Sequence, residues 1–246
     1  TTWSAKKRAT FALHSARVND PSMHRLKQLH KNADGVHTVL REANMVNTAT
    51  DARMLADPPA APAKEGTTPD IDRPGARTEV DIATMPVTDI HGNKYFLSAR
   101  DAASTDFECY PMKKKSDAPM MLQRFIAESK AKGVDMDKGG VVWSDNEVVL
   151  NSAEFDAVAS ENDLARGNSV EYKPTGNAGA ESTIRLSKHE MRKNFARSGV
   201  PMDFWSYNLL DCVDVLRNTR DRDGKTPGEL RTGKRANISR RRVWGC

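Results

Sequence analysis

Apolar positions along the chain change their period several times, and each change predicts an element. Between residues 11 and 46, Phe11, Leu13, Val18, Met23, Leu26, Leu29, Val36, Val39 and Leu40 fall partly on a 3.6-residue period, which predicts helix. Pro21-Ser22 behind Asn19-Asp20 reads as a helix start. Residues 47–77 lose the pattern. They carry Pro58, Pro59, Pro62, Pro69 and Pro74, much Ala and Thr and few large apolar side chains, so they read as an extended or disordered linker.

A β-rich stretch follows. Residues 78–83, 94–100 and 105–111 are short strand candidates, with His91-Gly92-Asn93 as the turn between the first two. Residues 117–132 read as an amphipathic helix with Met121, Leu122, Phe125 and Ile126 inward, ended by Gly133. The apolar run 140–144 reads as a buried strand, 152–163 as a helix with Phe155 and Val158 inward, and 168–173 as another strand. Two long helices, 178–198 and 202–217, are split by Gly199-Val200-Pro201. The order β-β-β-α-β-α-β-α-α predicts an α/β fold, a mixed sheet with helices packed against it, behind a small helical N-terminal segment and a linker.

Composition narrows the picture. With 246 residues the chain can bury a sizeable core. Hydrophobic residues are 38%, and the 15 Gly bring the sum to about 44%, just under the globular norm of roughly 45–50%. Mean hydropathy is −0.66, and no run approaches the roughly 18 apolar residues of a membrane helix. The first residues lack the apolar core of a signal peptide, and the chain starts at Thr1, which reads as a processed piece or fragment. Cys109, Cys212 and Cys246 have no CxxC spacing, so an intracellular chain is expected, with neither a disulfide framework nor a cysteine-based zinc site. Net charge is +5 but unevenly spread: residues 185–246 hold 15 Lys+Arg against 7 Asp+Glu, a net +8, and the rest carries −3. A basic C-terminal quarter, ending in Arg240-Arg241-Arg242, fits a polyanionic partner or a solvated tail.

Three acids stand at places where a carboxylate is costly. Asp81 interrupts the first strand, Asp145 follows the buried run Val141-Val142-Trp143-Ser144, and Glu181 opens the first long C-terminal helix. A carboxylate in an apolar strand costs desolvation unless something pairs with it. If the three converge, their repulsion is offset by a divalent cation such as Mg²⁺ or Mn²⁺, and two such ions can clamp a phosphodiester. Otherwise they are three unrelated acids among 33. On the helix, Arg185 at i+4 and Lys188 at i+7 share the face of Glu181, Arg192 continues the stripe, and Asn177 lies one turn earlier. That pattern fits a ligand beside a phosphate track, and equally a surface Glu181–Arg185 pair.

These residues fall in ordered blocks that resemble the integrase region of copia-type LTR retrotransposon Gag-Pol polyproteins. Trp143-Ser144-Asp145-Asn146 resembles the family's S-D-N-G-G-E-F, and Asn177-Ala178-Gly179-Ala180-Glu181 its N-G-V-A-E. Thirty-five residues separate Asp145 from Glu181, the family's D-x35-E spacing, and Asp81 takes the place of the first catalytic Asp. Lys94-Tyr95-Phe96-Leu97 through Asp101, Tyr110-Pro111-Met112-Lys113 with Lys115-Ser116, Gly199–Trp205 and Gly224–Leu230 with Thr232-Gly233-Lys234 supply further blocks. Together they cover about residues 78–235.

The resemblance implies an RNase H-like catalytic core over 78–235, preceded by a degenerate pre-integrase segment over 1–46 and the linker 47–77, and followed by a basic tail over 236–246. It implies that Asp81, Asp145 and Glu181 are catalytic and hold two Mg²⁺ or Mn²⁺ ions. Asn146 and Asn177 would position DNA, and Arg185, Lys188 and Arg192 would hold its backbone. The implied activity is 3′-end processing and strand transfer of element DNA into host DNA. The implied partners are both DNAs and further copies of the chain, with protease and reverse transcriptase as polyprotein neighbours, in the nucleus and away from membranes. The N-terminal segment departs from the family's zinc module. Leu13-His14 and Pro21-Ser22 fit, but Asn19-Asp20 stands where Gly-His is expected, and no Cys precedes Cys109. His14, His24, His30 and His37 offer a substitute set, but a histidine on a helix surface is more often simply a polar residue, so no zinc is expected. In the core, Glu147-Val148-Val149 replaces Gly-Gly-Glu and Ala178 replaces a Gly. Those changes favour the rival reading, a decayed integrase fold that only binds nucleic acid or a partner.

Overall fold

The computed structural model describes residues 5–18, 33–34, 36, 71, 73–136, 139–168, 177–219 and 224–245. The chain divides into two compact units, Ala61–Leu186 and a second made of Thr1–Ala60 with Ser187–Cys246. In chain order the elements are α1 (Ala5–Ala16), β1 (Ala33–Asp34), β2 (Arg77–Thr84), β3 (Tyr95–Asp101), β4 (Phe107–Met112), α2 (Ala118–Ala131), β5 (Val141–Ser144), α3 (Ala153–Glu161), β6 (Ala165–Asn168), α4 (Ala178–Ser198), α5 (Trp205–Thr219), α6 (Pro227–Thr232) and β7 (Ala236–Asn237).

The first unit is built on a five-stranded mixed sheet in the order β4-β3-β2-β5-β6. β2, β3 and β4 form an antiparallel meander, while β5 runs parallel to β2 and β6 parallel to β5. The β2–β3 turn falls at His91-Gly92-Asn93 as the sequence predicts. Asp89 organises it: Oδ1 accepts from His91 N at 2.9 Å and from Asn93 N at 2.6 Å. Side chains alternate across β2, so Val80 joins one face while Glu79 and Asp81 lie on the other. The Val80 face is the dry one. Val80, Leu97, Ala99, Tyr110, Met112 and Val142 pack there with Leu122, Phe125 and Ile126 of α2 and with Phe155 and Ala159 of α3. The predicted inward residues of both helices are therefore where the 3.6-residue period puts them. α2 ends at Gly133, whose φ of 84° gives the left-handed backbone that stops a helix.

The opposite face carries charge. Glu79 is 3% exposed and pairs with Arg100 and, at 3.2 Å, with Arg77. α4 starts directly over this pair. A Cβ on Gly179 would overlap Glu79 Oε2 and Arg100 Nη1, so only Gly lets the helix approach so closely. The requirement for a glycine thus falls on Gly179, one position after the family glycine that Ala178 replaces.

In the second unit, β1 pairs with β7 in parallel, Ala33 opposite Ala236 and Asp34 opposite Asn237. α5 buries Trp205, Leu209, Cys212, Val213, Val215 and Leu216. The basic end of the chain is tied down here: Arg241 pairs with Asp211 at 2.6 Å and with Asp214, and Nε donates to Arg17 O at 3.1 Å.

Three expectations change. The helix expected over 11–46 is α1 alone among the described residues, beginning six residues earlier and followed by extended backbone at Ala33–Asp34. Its partner strand lies some two hundred residues away, so no local period reports it. The strand expected at 168–173 starts at Ala165, and 169–176 lie outside the described residues. The linker's last residues are ordered: Gly75 N donates to Asp101 Oδ1 at 2.7 Å. The rest of the linker, and the Pro21-Ser22 helix start, lie outside the described residues.

Candidate active site

The sheet brings Asp81 and Asp145 together. β2 and β5 are neighbours in parallel, with Val80 opposite Ser144, so the residue after each of these comes to one place. One carboxylate oxygen from each of Asp81, Asp145 and Glu147 lies within 4.8 Å of the other two, and all three residues are half-buried. Glu181 is exposed, in the first turn of α4, where its backbone N donates to Asn177 O at 3.2 Å. It stands outside the 4.8 Å group, yet it is close enough to act on Asp81.

Electrostatics single out Asp81. Its carboxyl is pushed up to about 7, first by burial and then by the negative charge of Asp145, with smaller contributions from Glu181 and Glu147. A hydrogen bond of 2.7 Å from Ile82 N to Oδ1 works in the opposite direction. Asp145 Oδ1 accepts from Glu147 N at 3.2 Å, which closes the turn after β5. Among the described residues, Lys115 brings a cation to this cluster, paired with Glu147 and 5.8 Å from the Tyr95 ring centroid. Its hydrogen bond to Glu147 raises the ammonium pKa and keeps it charged. Oxygen-only donors of this kind suit a hard divalent cation, because the ion removes the repulsion that raises the Asp81 pKa.

Of the other expected site residues, Asn146, Asn177 and Arg185 lie in the same unit as this cluster. Asn146 is exposed on the same turn. Asn177 is 4% exposed, and Nδ2 donates to Val80 O at 3.1 Å, tying the start of α4 to the strand that carries Asp81. Arg185 reaches Ser182 Oγ at 3.5 Å, and no Glu181–Arg185 ion pair forms. Arg185 lies in the sheet unit, while Lys188 and Arg192 lie past the division in α4. Glu147 was missed from the sequence because the family motif places glycine there. The signal available was its spacing of two from Asp145.

An RNase H-like α/β fold with a carboxylate cluster at the ends of its two central parallel strands is the class these features define. No protein-family model matches the chain. A curated protein of Nicotiana tabacum, the retrovirus-related Pol polyprotein from transposon TNT 1-94, is 24% identical over 165 residues. That match takes in 66% of this chain and 12% of the polyprotein, so the chain spans a small part of its relative's length. Among solved structures, a chain of the simian T-cell lymphotropic virus intasome in complex with PP2A regulatory subunit B56 gamma superposes with a TM-score of 0.56 at 18% identity. It covers 85% of this chain and 74% of that one, a likeness of fold. With the ordered motifs, these matches show that the chain resembles the integrase region of a copia-type retrotransposon Pol polyprotein. No helix among the described residues is long and apolar enough to cross a membrane.

Proposed function

We propose that the chain is a polynucleotidyl transferase of the integrase type, joining DNA ends to target DNA with divalent metal. The observation that carries this reading is the convergence of Asp81 and Asp145 from neighbouring parallel strands, with Glu181 acting on Asp81 from α4. Asp81, Asp145 and Glu181 would hold the metal, with Glu147 beside them. When bound, two Mg²⁺ or Mn²⁺ ions supply charge neutralisation at the attacking and leaving oxygens of an in-line displacement. The attacking 3′-OH would give up its proton to solvent as it forms the new P–O bond, while the P–O bond to the 3′-oxygen of the cut strand breaks and that oxygen takes up a proton from solvent. The residues of this chain hold the acids in place: Ile82 N fixes the Asp81 carboxylate, Glu147 N fixes Asp145, and Asn177 anchors the start of α4. Asn146 and Arg185, with Lys188 and Arg192 farther along α4, are the groups assigned to DNA. Action as a multimer and nuclear location follow from the same reading.

The test is joining of an oligonucleotide bearing the element's terminal sequence to plasmid DNA, with Mg²⁺ or Mn²⁺. Joining that needs metal and disappears in Asp145→Asn is the expected result. A folded wild-type protein that binds DNA and never joins it would support the rival, a decayed integrase fold.

Lys115 gives a separate test. Its ammonium competes with a metal ion for the same carboxylates. The pair is partly exposed, 39% for Lys115 and 20% for Glu147, so the competition is modest. Lys115→Ala is expected to tighten Mn²⁺ binding by about threefold, the scale of an exposed ion pair, measured by titration calorimetry. Weaker binding in that variant would mean that Lys115 supports the metal-binding geometry instead.

A further inference from the structure

The turn that carries Asp145 and Glu147 is gripped at both ends by one side chain. Arg166, on edge strand β6, is largely buried, with a side chain 16% exposed. Its Nη2 donates to Ser144 Oγ at 3.0 Å, on the residue before Asp145, and to Leu150 O at the far end of the turn. Nη1 donates to Val142 O at 3.0 Å, and Nε pairs with Asp156 Oδ1 at 2.9 Å. The guanidinium also lies 4.8 Å from the Phe155 ring centroid. Between the two gripped ends, the turn is closed by Glu147 N to Asp145 Oδ1, Leu150 N to Glu147 O at 2.9 Å, and Asn151 Nδ2 to Glu147 O at 3.2 Å. Here the segment runs Glu147-Val148-Val149, without the glycines of the family motif.

We infer that Arg166 is a positioning residue, a guanidinium staple that sets Asp145 and Glu147 for metal by fixing both ends of their turn. The inference rests on the metal-site reading above. Only a planar fork of five donors can hold a hydroxyl, two carbonyls and a carboxylate at once, so the staple needs Arg and not merely a cation. Arg166→Leu keeps an apolar side chain at this position and removes every polar contact. Arg166→Lys keeps the charge and can hold only part of the set.

The experiment is hydrogen exchange over residues 145–151 in the full chain, with Mn²⁺ titration of the same samples. Arg124→Leu is the control: it removes another guanidinium, 63% exposed, from an ion pair with Glu128 on α2. Exchange in 145–151 should accelerate about tenfold in Arg166→Leu, the scale of one hydrogen bond to a charged group, by less in Arg166→Lys, and not at all in the control. Mn²⁺ affinity should fall in the same order. Unchanged exchange overturns the staple. Faster exchange with unchanged Mn²⁺ affinity overturns its link to the acids. A wild-type protein that binds Mn²⁺ but joins no DNA overturns the proposed activity and leaves the staple standing, and one that binds no Mn²⁺ overturns both.

Discussion

Asp81→Asn is expected to abolish metal-dependent joining and, at the same time, to stabilise the metal-free protein. The loss should reach about a thousandfold or more, the scale on which one preorganised electrostatic group acts in a closed site. The gain in stability follows from the raised carboxyl. Burial and its acidic neighbours push the Asp81 carboxyl up to about 7 in the folded chain, well above the ordinary aspartate range, so the folded state holds its proton over a range in which the unfolded chain has lost it. Stability contributed by the neutral carboxyl is therefore fully present below about pH 4, falls as pH rises toward 7, and is gone above it. Asn keeps the neutral amide and can still accept from Ile82 N, so it removes the cost of the charge. At pH 8 the gain should be about 2–4 kcal/mol, and near zero at pH 4, read from denaturant unfolding without metal. Saturating Mn²⁺ should narrow or reverse the difference, because the ion stabilises the wild-type carboxylates. Equal stability of the two proteins at pH 8 would mean that Asp81 is not crowded by its neighbours.

Gly179→Ala should destabilise the protein although Gly→Ala usually strengthens a helix. In an exposed helix interior the change is favourable by about 1 kcal/mol. At this position the new methyl group would fall on Glu79 Oε2 and Arg100 Nη1, so the buried pair must open or α4 must lift. Breaking a buried pair costs about 3–5 kcal/mol, which leaves a net loss of about 2–4 kcal/mol. Glu181 sits two residues further on, so joining should fall more steeply than stability alone predicts. Urea unfolding and the joining assay read the two effects separately. A protein stabilised by this change would show that α4 does not rest on the Glu79–Arg100 pair.

Much of the sheet unit is legible in the amino-acid sequence. β3 and β5 show short apolar runs, β2 alternates Val80 and Ile82 with Glu79 and Asp81, and α2 and α3 place Leu122, Phe125, Ile126 and Phe155 on the period their burial requires. β6 was misplaced because Ala165-Arg166-Gly167-Asn168 has no apolar alternation: it is an edge strand, and Trp143 packs where Gly167 lacks a side chain. β1 and β7 are two residues each and exist through one another, so neither leaves a local trace. At the site, Asp81 and Asp145 were visible because a carboxylate in an apolar run is anomalous. Glu147 was hidden by a motif that reserves its position for glycine. Arg166 was hidden because it acts largely through backbone carbonyls, which carry no sequence signature. Asn177 was visible as a motif residue, but its inward orientation toward Val80 O required the fold.

In the proposed metal-dependent site, Asp81 and Asp145 work with Glu181 rather than with Glu147 alone. Joining activity of Glu181→Gln and Glu147→Gln, measured side by side across a Mn²⁺ titration, tests it most directly. Glu181→Gln is expected to be inert at every Mn²⁺ concentration, while Glu147→Gln retains most of the activity with a shifted Mn²⁺ midpoint. Full joining by Glu181→Gln, with loss confined to Glu147→Gln, would contradict it and place the third carboxylate on the turn after β5 instead of on α4.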